Sequence, residues 1–405
     1  MTLARRLGVV DATAIGLGSM LGAGVFAAFA PAAAAAGSWL LLSLVLAGLV
    51  AYCNAVASAQ LAASYPSSGG TYLYGRQRLG PWWGFTAGWS FVVGKTASCA
   101  AMALTFAAYA VPGYEKPVAL AAVTLLAAVN YRGISRTAAL TRVLLAVVLA
   151  VLAFFVTASF ASQGPETGPW VDVGPLGLTQ AAGMLFFAFA GYARIATMGE
   201  EVREPSRTIP RAILGALGAA MVIYLLVGVA LLSVLGPQRL ARSTAPLADG
   251  LDMVGLPGVL ATIGAAAASL GALLALIAGV GRTTLAMARN GDLPRPLAAV
   301  HPRYSVPHRA EIAVAVIVCA LVLAVDLRGA IGFSSFGVLI YYAIANASAY
   351  TQPSEDRRWP RAVNGLGLLG CVLLAASLPW SSVLLGAAVL VAGVLGKALV
   401  LTVRS

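Results

Sequence analysis

Two apolar segments contain the residue types from which a binding site can be built without water. The first, Ile15-Gly-Leu-Gly-Ser-Met-Leu-Gly-Ala-Gly-Val-Phe26, places Gly16, Gly18, Gly22 and Gly24 in one run, although glycine costs about 1 kcal/mol relative to alanine inside a helix. The second, Gly183-Met-Leu-Phe-Phe-Ala-Phe-Ala-Gly-Tyr192, sets Gly191 among aromatics. Small residues four apart also make close helix-contact faces, so packing competes as an explanation of the first run taken alone. Matching interruptions in two halves of a chain favour a site formed by discontinuous helices. Such an interruption leaves amides free at the start of one half-helix and carbonyls free at the end of the other, each favouring opposite charge. The chemistry is then non-covalent capture of a zwitterion. The amides of Gly22, Ala23 and Gly24 are expected to hold a carboxylate, and carbonyls near Met20, Phe187 and Ala190 an ammonium, with Ala188, Phe189 and Gly191 in the same stretch.

Lys95 lies about 21 Å along its segment from Pro81 at 1.5 Å per residue, which is near mid-membrane. A cation there costs about 2.5–3.5 kcal/mol on insertion scales. It is expected to face the bundle interior as a proton-linked charge; the competing reading is a long stem carrying the charge to an interface. Arg194 follows the second interruption and has three readings: contact with an anionic group, pairing with Glu200 or Glu201, or reach to the interface. Glu200 and Glu201, beside Arg203 and Arg207, read as a gate or loop anchor rather than a catalytic pair. Lys95, Thr96 and Ser98 are the polar candidates for a side-chain pocket.

The elements that position these residues follow from composition. The chain has 405 residues, 60% hydrophobic and only 10% charged, too little charge for a soluble surface. The bilayer is its expected solvent, and a spanning helix needs about 20 apolar residues. About twelve segments meet the pattern: 9 to 36, 38 to 62, 81 to 111, 117 to 131, 140 to 161, 179 to 199, 212 to 235, 257 to 281, 310 to 325, 329 to 350, 363 to 379 and 381 to 402. The net charge of +12 is laid out by topology and does not imply nucleic acid. Even-numbered connections hold most arginines, from Arg76 to Arg361, whereas odd-numbered ones hold Lys116, Arg239, Arg242 and Arg328. The positive-inside rule then places both termini in the cytoplasm. The first segment is too long and too glycine-rich for a signal peptide and is expected to remain as a helix.

Cys53, Cys99, Cys319 and Cys371 stand alone in apolar segments, and His301 and His308 share one basic loop, so no metal site is expected. No span contains histidine and no Gly-x-Ser-x-Gly element occurs, which argues against an enzyme.

The stretch Gly18-Ser-Met-Leu-Gly-Ala-Gly-Val-Phe26 resembles the first-helix signature of the amino acid-polyamine-organocation superfamily. Tyr65-Pro-Ser-Ser-Gly-Gly-Thr-Tyr72, Phe186-Phe-Ala-Phe-Ala-Gly-Tyr192, Gly199-Glu-Glu-Val-Arg-Glu-Pro205 and Ala286-Met-Ala-Arg-Asn-Gly-Asp-Leu-Pro294 resemble it too, in order along residues 13 to about 310. The resemblance implies an all-α integral membrane protein of the LeuT type. Two inverted five-helix repeats (9–161 and 179–350) and two further helices (363–402) would form one domain, with the first and sixth helices unwound mid-membrane. It also puts the substrate carboxylate on Gly22, Ala23 and Gly24 and the ammonium on Met20, Phe187 and Ala190. Phe189 becomes an aromatic gate or side-chain contact, unless it is simply packed. Leu149 stands where relatives often carry a lysine.

The implied activity is secondary transport of amino acids by alternating access in a bacterial plasma membrane. No carboxylate sits mid-membrane, since Asp11 is at an entrance, and a buried dication needs an acidic partner. A neutral amino acid carried by proton symport is therefore expected, with no cofactor. Sodium is less expected, because Leu270 to Gly281 has no Ser or Thr to supply ligands. Exchange of cationic amino acids or polyamines is one alternative, and a non-transporting amino acid receptor is the other.

Overall fold

A computed structural model describes residues 7–65, 69–133, 138–162, 173–198 and 201–404. The chain forms α1 (Val9–Met20), α2 (Ala23–Ala27), α3 (Phe29–Ala36), α4 (Leu40–Ser64), α5 (Gly70–Arg78), α6 (Pro81–Ala110), α7 (Glu115–Tyr131), α8 (Ala138–Ala161) and α9 (Gly174–Phe189). It continues as α10 (Ala193–Ala196), α11 (Pro205–Arg242), α12 (Pro246–Met253), α13 (Val259–Arg289), α14 (His308–Ala324), α15 (Leu327–Tyr350), α16 (Arg361–Ser377) and α17 (Trp380–Arg404). All regular structure among the described residues is helical, apart from one isolated backbone bridge between Leu7 and Val202. In hydrocarbon only a helix or a closed barrel satisfies every backbone polar group. The starts follow local chemistry, with Pro81, Pro205 and Pro246 at the first helical turn, where a missing N–H costs nothing.

Nine helical stretches among the described residues are long and apolar enough to cross a membrane, and Arg361–Ser377 is a shorter apolar helix. Helices α7 and α14, in the expected spans 117 to 131 and 310 to 325, have 17 residues each, or about 26 Å of helix. The first two expected spans divide differently. The stretch Val9–Ala27 forms one, and Phe29–Ser64 forms the next, running through a 3-10 turn at Gly37–Trp39. Gly37 takes φ +54° there, a conformation that a side chain disfavours. The short helices α5 and α12 lie in stretches expected to be connections.

Burial separates the centre from the rim. In the most apolar window of α15, 89% of residues are buried, and in α6 83%, against 22% in α8 and 11% in α17. Apolar side chains exposed on a rim are what a lipid solvent requires, and α17 shows Leu384, Val391 and Leu395 to the outside. The interrupted helices α1, α2, α9 and α10 run through the interior, and α6 and α15 pack side by side along Gly94 and Gly337. A Cβ built on Gly337 would lie 2.8 Å from Gly94 Cα, so the two backbones touch.

Candidate functional site

The two interruptions meet. Helix α1 ends at Met20 and the chain restarts as α2 at Ala23, leaving Leu21 and Gly22 outside the helix. No side chain caps the start of α2. The second interruption is a tightening rather than an unwinding: α9 ends at Phe189, a 3-10 turn covers Ala190–Tyr192, and α10 resumes at Ala193. Glycine allows the contact between them. A Cβ on Gly24 would lie 2.5 Å from Ala188 Cα, and one on Gly191 would lie 2.5 Å from Met20 N. Gly22 is less crowded, with Ala272 Cβ at 3.1 Å from such an atom. Met20, Ala23, Ala188, Phe189 and Ala190 are buried, as is Phe187.

The three carbonyls expected to receive an ammonium each have a protein donor already. The hydroxyl of Tyr224, on α11, lies 2.7 Å from Met20 O and 2.9 Å from Ala188 O. With one proton it donates to one of them at a time. The amide of Ala190 donates to Phe187 O. Lys95 Nζ donates to Ala190 O at 3.0 Å. Each carbonyl retains a second lone pair. Lys95 thus faces the bundle interior, as expected, and its contact is the end of α9.

Phe189 is fully buried and packs edge-on to Tyr224 with ring centroids 5.0 Å apart, so in this conformation it is a packed ring. Thr96 and Ser98 are also turned inward upon the protein. Thr96 Oγ1 donates to Val92 O at 2.6 Å, and Ser98 Oγ is 2.6 Å from Ser334 Oγ on α15.

Arg194, on α10, is half-buried. Among the described residues it makes no ion pair with Glu201, and Glu200 lies outside the described residues. Glu201 acts through its backbone. Leu7 N donates to Glu201 O at 3.1 Å and Arg203 N to Leu7 O at 2.9 Å, forming the bridge that ties the start of α1 to the segment after α10.

Sequence reasoning missed Tyr224 and Asp292. A lone phenol in an apolar span needs a partner, and that signal was available for Tyr224. Asp292 follows α13, and its carboxylate, 5% exposed, lies 2.8 Å from Arg76 Nη1 of α5 and 2.9 Å from Lys397 Nζ of α17. Tyr72 Oη donates to it at 2.7 Å. Lys397 also sits over the rings of Trp82 and Phe85, at 5.0 and 4.6 Å. Three distant chain segments are joined at one anion. Burial and the neighbouring Asp292 push the Tyr72 phenol up to about 12.

The described residues hold no cluster of three or more His, Cys, Asp or Glu side chains able to bind a metal. What the arrangement offers is backbone polar groups and one buried ammonium around a common point.

Comparison with known proteins gives a consistent answer. The amino acid permease family matches residues 7–400. An uncharacterized transporter of Mycobacterium tuberculosis is 61% identical over 397 residues, covering 97% of this chain and 90% of its own length. The branched-chain amino acid permease of Bacillus subtilis is 25% identical over 418 residues, 94% of this chain and 90% of its own. The human cationic amino acid transporter 4 is 28% identical over 378 residues, 86% of this chain and 59% of its own. These are names of permeases and transporters, not of enzymes.

Proposed function

Because the chain belongs to the amino acid permease family, we propose that it is a secondary active transporter that carries neutral amino acids by alternating access, coupled to protons as a symporter. The observation that carries this reading is the backbone contact between the two interruptions, Gly191 against Ser19 and Met20 and Gly24 against Ala188. It supports a single site at which the amides of Gly22, Ala23 and Gly24 take the carboxylate. The carbonyls of Met20 and Phe187 take the ammonium through their remaining lone pairs, and Ala190 O takes it in place of Lys95. The organisation proposed for it is two inverted repeats, 9–161 and 179–350, with helices in 363–402 outside them, in a bacterial plasma membrane with both termini cytoplasmic.

A neutral substrate is favoured over a cationic one by the charge already present. The interruptions bring together Lys95 and no carboxylate among the described residues, and a second buried cation would lack a partner. The names of relatives such as the human cationic transporter support amino acid transport in general rather than that substrate. Proton coupling is assigned to Lys95. Against sodium stands the middle of α13, Leu270 to Gly281, which has no Ser or Thr side chain to offer a hard cation.

The test is uptake of a panel of labelled amino acids into proteoliposomes, with an imposed pH gradient and with or without sodium. Proton-stimulated, sodium-independent uptake of neutral amino acids is expected. Selective uptake of polyamines or cationic amino acids would replace the substrate assignment. Binding of an amino acid with neither uptake nor exchange would make the chain a receptor.

A further inference from the structure

Of the three donors that occupy the carbonyls of the site, one is carried on a long side chain with rotatable bonds. Tyr224 holds Met20 O with a phenol on a buried, packed ring, and Ala190 holds Phe187 O with its own backbone amide. Lys95 reaches Ala190 O at 3.0 Å with an ammonium on a flexible four-carbon stem. Its head group is chemically the same as that of an amino acid: a carbon-bound ammonium with three N–H donors and one positive charge. Both seek the carbonyl end of a helix, where the dipole is negative.

We propose that Lys95 is a tethered stand-in for the substrate's ammonium, covering Ala190 O whenever the site is empty so that the unloaded carrier can change its access. This rests on the amino acid transport reading and adds a residue that decides between net transport and exchange. Two ammonium groups cannot share one buried carbonyl, because like charges about 4 Å apart repel strongly where the effective dielectric is low. Lys95 must therefore swing away as substrate enters and return as it leaves. No fixed carboxylate pairs with Lys95 among the described residues, so nothing but neutral carbonyl oxygen holds it in place and the departure breaks no ion pair.

The consequence concerns the return half of the cycle. An empty site with a bare helix-end carbonyl buried among apolar residues would pay the desolvation of that group. Such a carrier would reorient only when loaded, and could only exchange. With Lys95 in place, the carbonyl at the break has an ammonium donor in both the loaded and the empty protein.

The test compares two transport modes of the full chain in proteoliposomes, with the amino acid that the uptake panel identifies. One is net uptake into vesicles without internal amino acid; the other is exchange into vesicles preloaded with it. Lys95→Met is expected to lower the ratio of net uptake to exchange at least ten-fold. Lys95→Gln, which keeps a neutral donor without the charge, is expected to lower it in the same direction and serves if the first variant does not fold. A ratio unchanged from the wild type, whether both modes persist or both fall together, overturns the proposal while leaving amino acid transport intact. Absence of both modes in the wild type for every amino acid overturns the transport reading, and this proposal with it.

Discussion

Gly24 and Ala188 touch through their main chains: a Cβ added to Gly24 would stand 2.5 Å from the Cα and 2.7 Å from the Cβ of Ala188. The contact joins α2 to α9, the two helices whose interruptions face each other, and it leaves no flexible side chain to yield. Access to a site between them depends on how these backbones lie.

Gly24→Ala is expected to lower transport more than ten-fold and to destabilise the fold by about 1–3 kcal/mol, the usual cost of overpacking. Gly18→Ala, in the same glycine run but with its nearest neighbour at 3.7 Å, is expected to be tolerated. Uptake and thermal unfolding of the two variants in detergent check this. Equal effects from both would show that the run as a whole, rather than the Gly24 contact, is what matters.

Tyr224→Phe removes the hydroxyl shared by Met20 O and Ala188 O while keeping the ring against Phe189. A buried acceptor left without its donor costs about 1–3 kcal/mol. Substrate affinity is expected to change as well, because Met20 O is one of the proposed ammonium acceptors. Unfolding temperature and binding by titration calorimetry give the two readouts.

Asp292→Asn leaves Arg76 and Lys397 facing each other without their shared anion. Removing one partner of a buried ion pair costs about 3–5 kcal/mol, and the exposure of Arg76, 30%, places the expected loss at or below the lower end of that range. Lys397→Met should cost less, since Asp292 keeps Arg76 and Tyr72. Chemical denaturation of both variants would reveal the order, and the reverse order would show that the aromatic face of Trp82 and Phe85 is the larger contributor.

Tyr72 links the same cluster to pH. Its phenol is pushed up from an ordinary value of about 10 to about 12 by burial, with Asp292 adding to the shift. A raised folded value means that the neutral form is the stabilised one. Its contribution is complete below about pH 10 and fades as pH climbs through about 12. Tyr72→Phe is therefore expected to lose that part of the alkaline decline and to show no difference in slope between pH 6 and 9. Unfolding curves across pH 6 to 12 for both proteins test the assignment.

Much of the protein was legible without a structure because the bilayer is a demanding solvent. Long apolar segments between charged connections had to be helices, and glycine inside such a helix had to have a reason. The break in the first span came at Leu21 and Gly22, inside the glycine run, and the disturbance in the sixth came at Ala190 and Gly191. Lys95 could be placed at mid-membrane by counting 1.5 Å steps from Pro81. Tertiary structure alone decided what these groups meet. Ala190 is 95 residues from Lys95, Tyr224 is 204 from Met20, and Asp292 is 216 from Arg76. Periodicity describes a helix along its own axis and carries no information about which neighbour its face will find. The choice of partner depends on shape and charge across the packed interior, so only the folded chain showed that a lysine, rather than an empty carbonyl, waits at the end of α9.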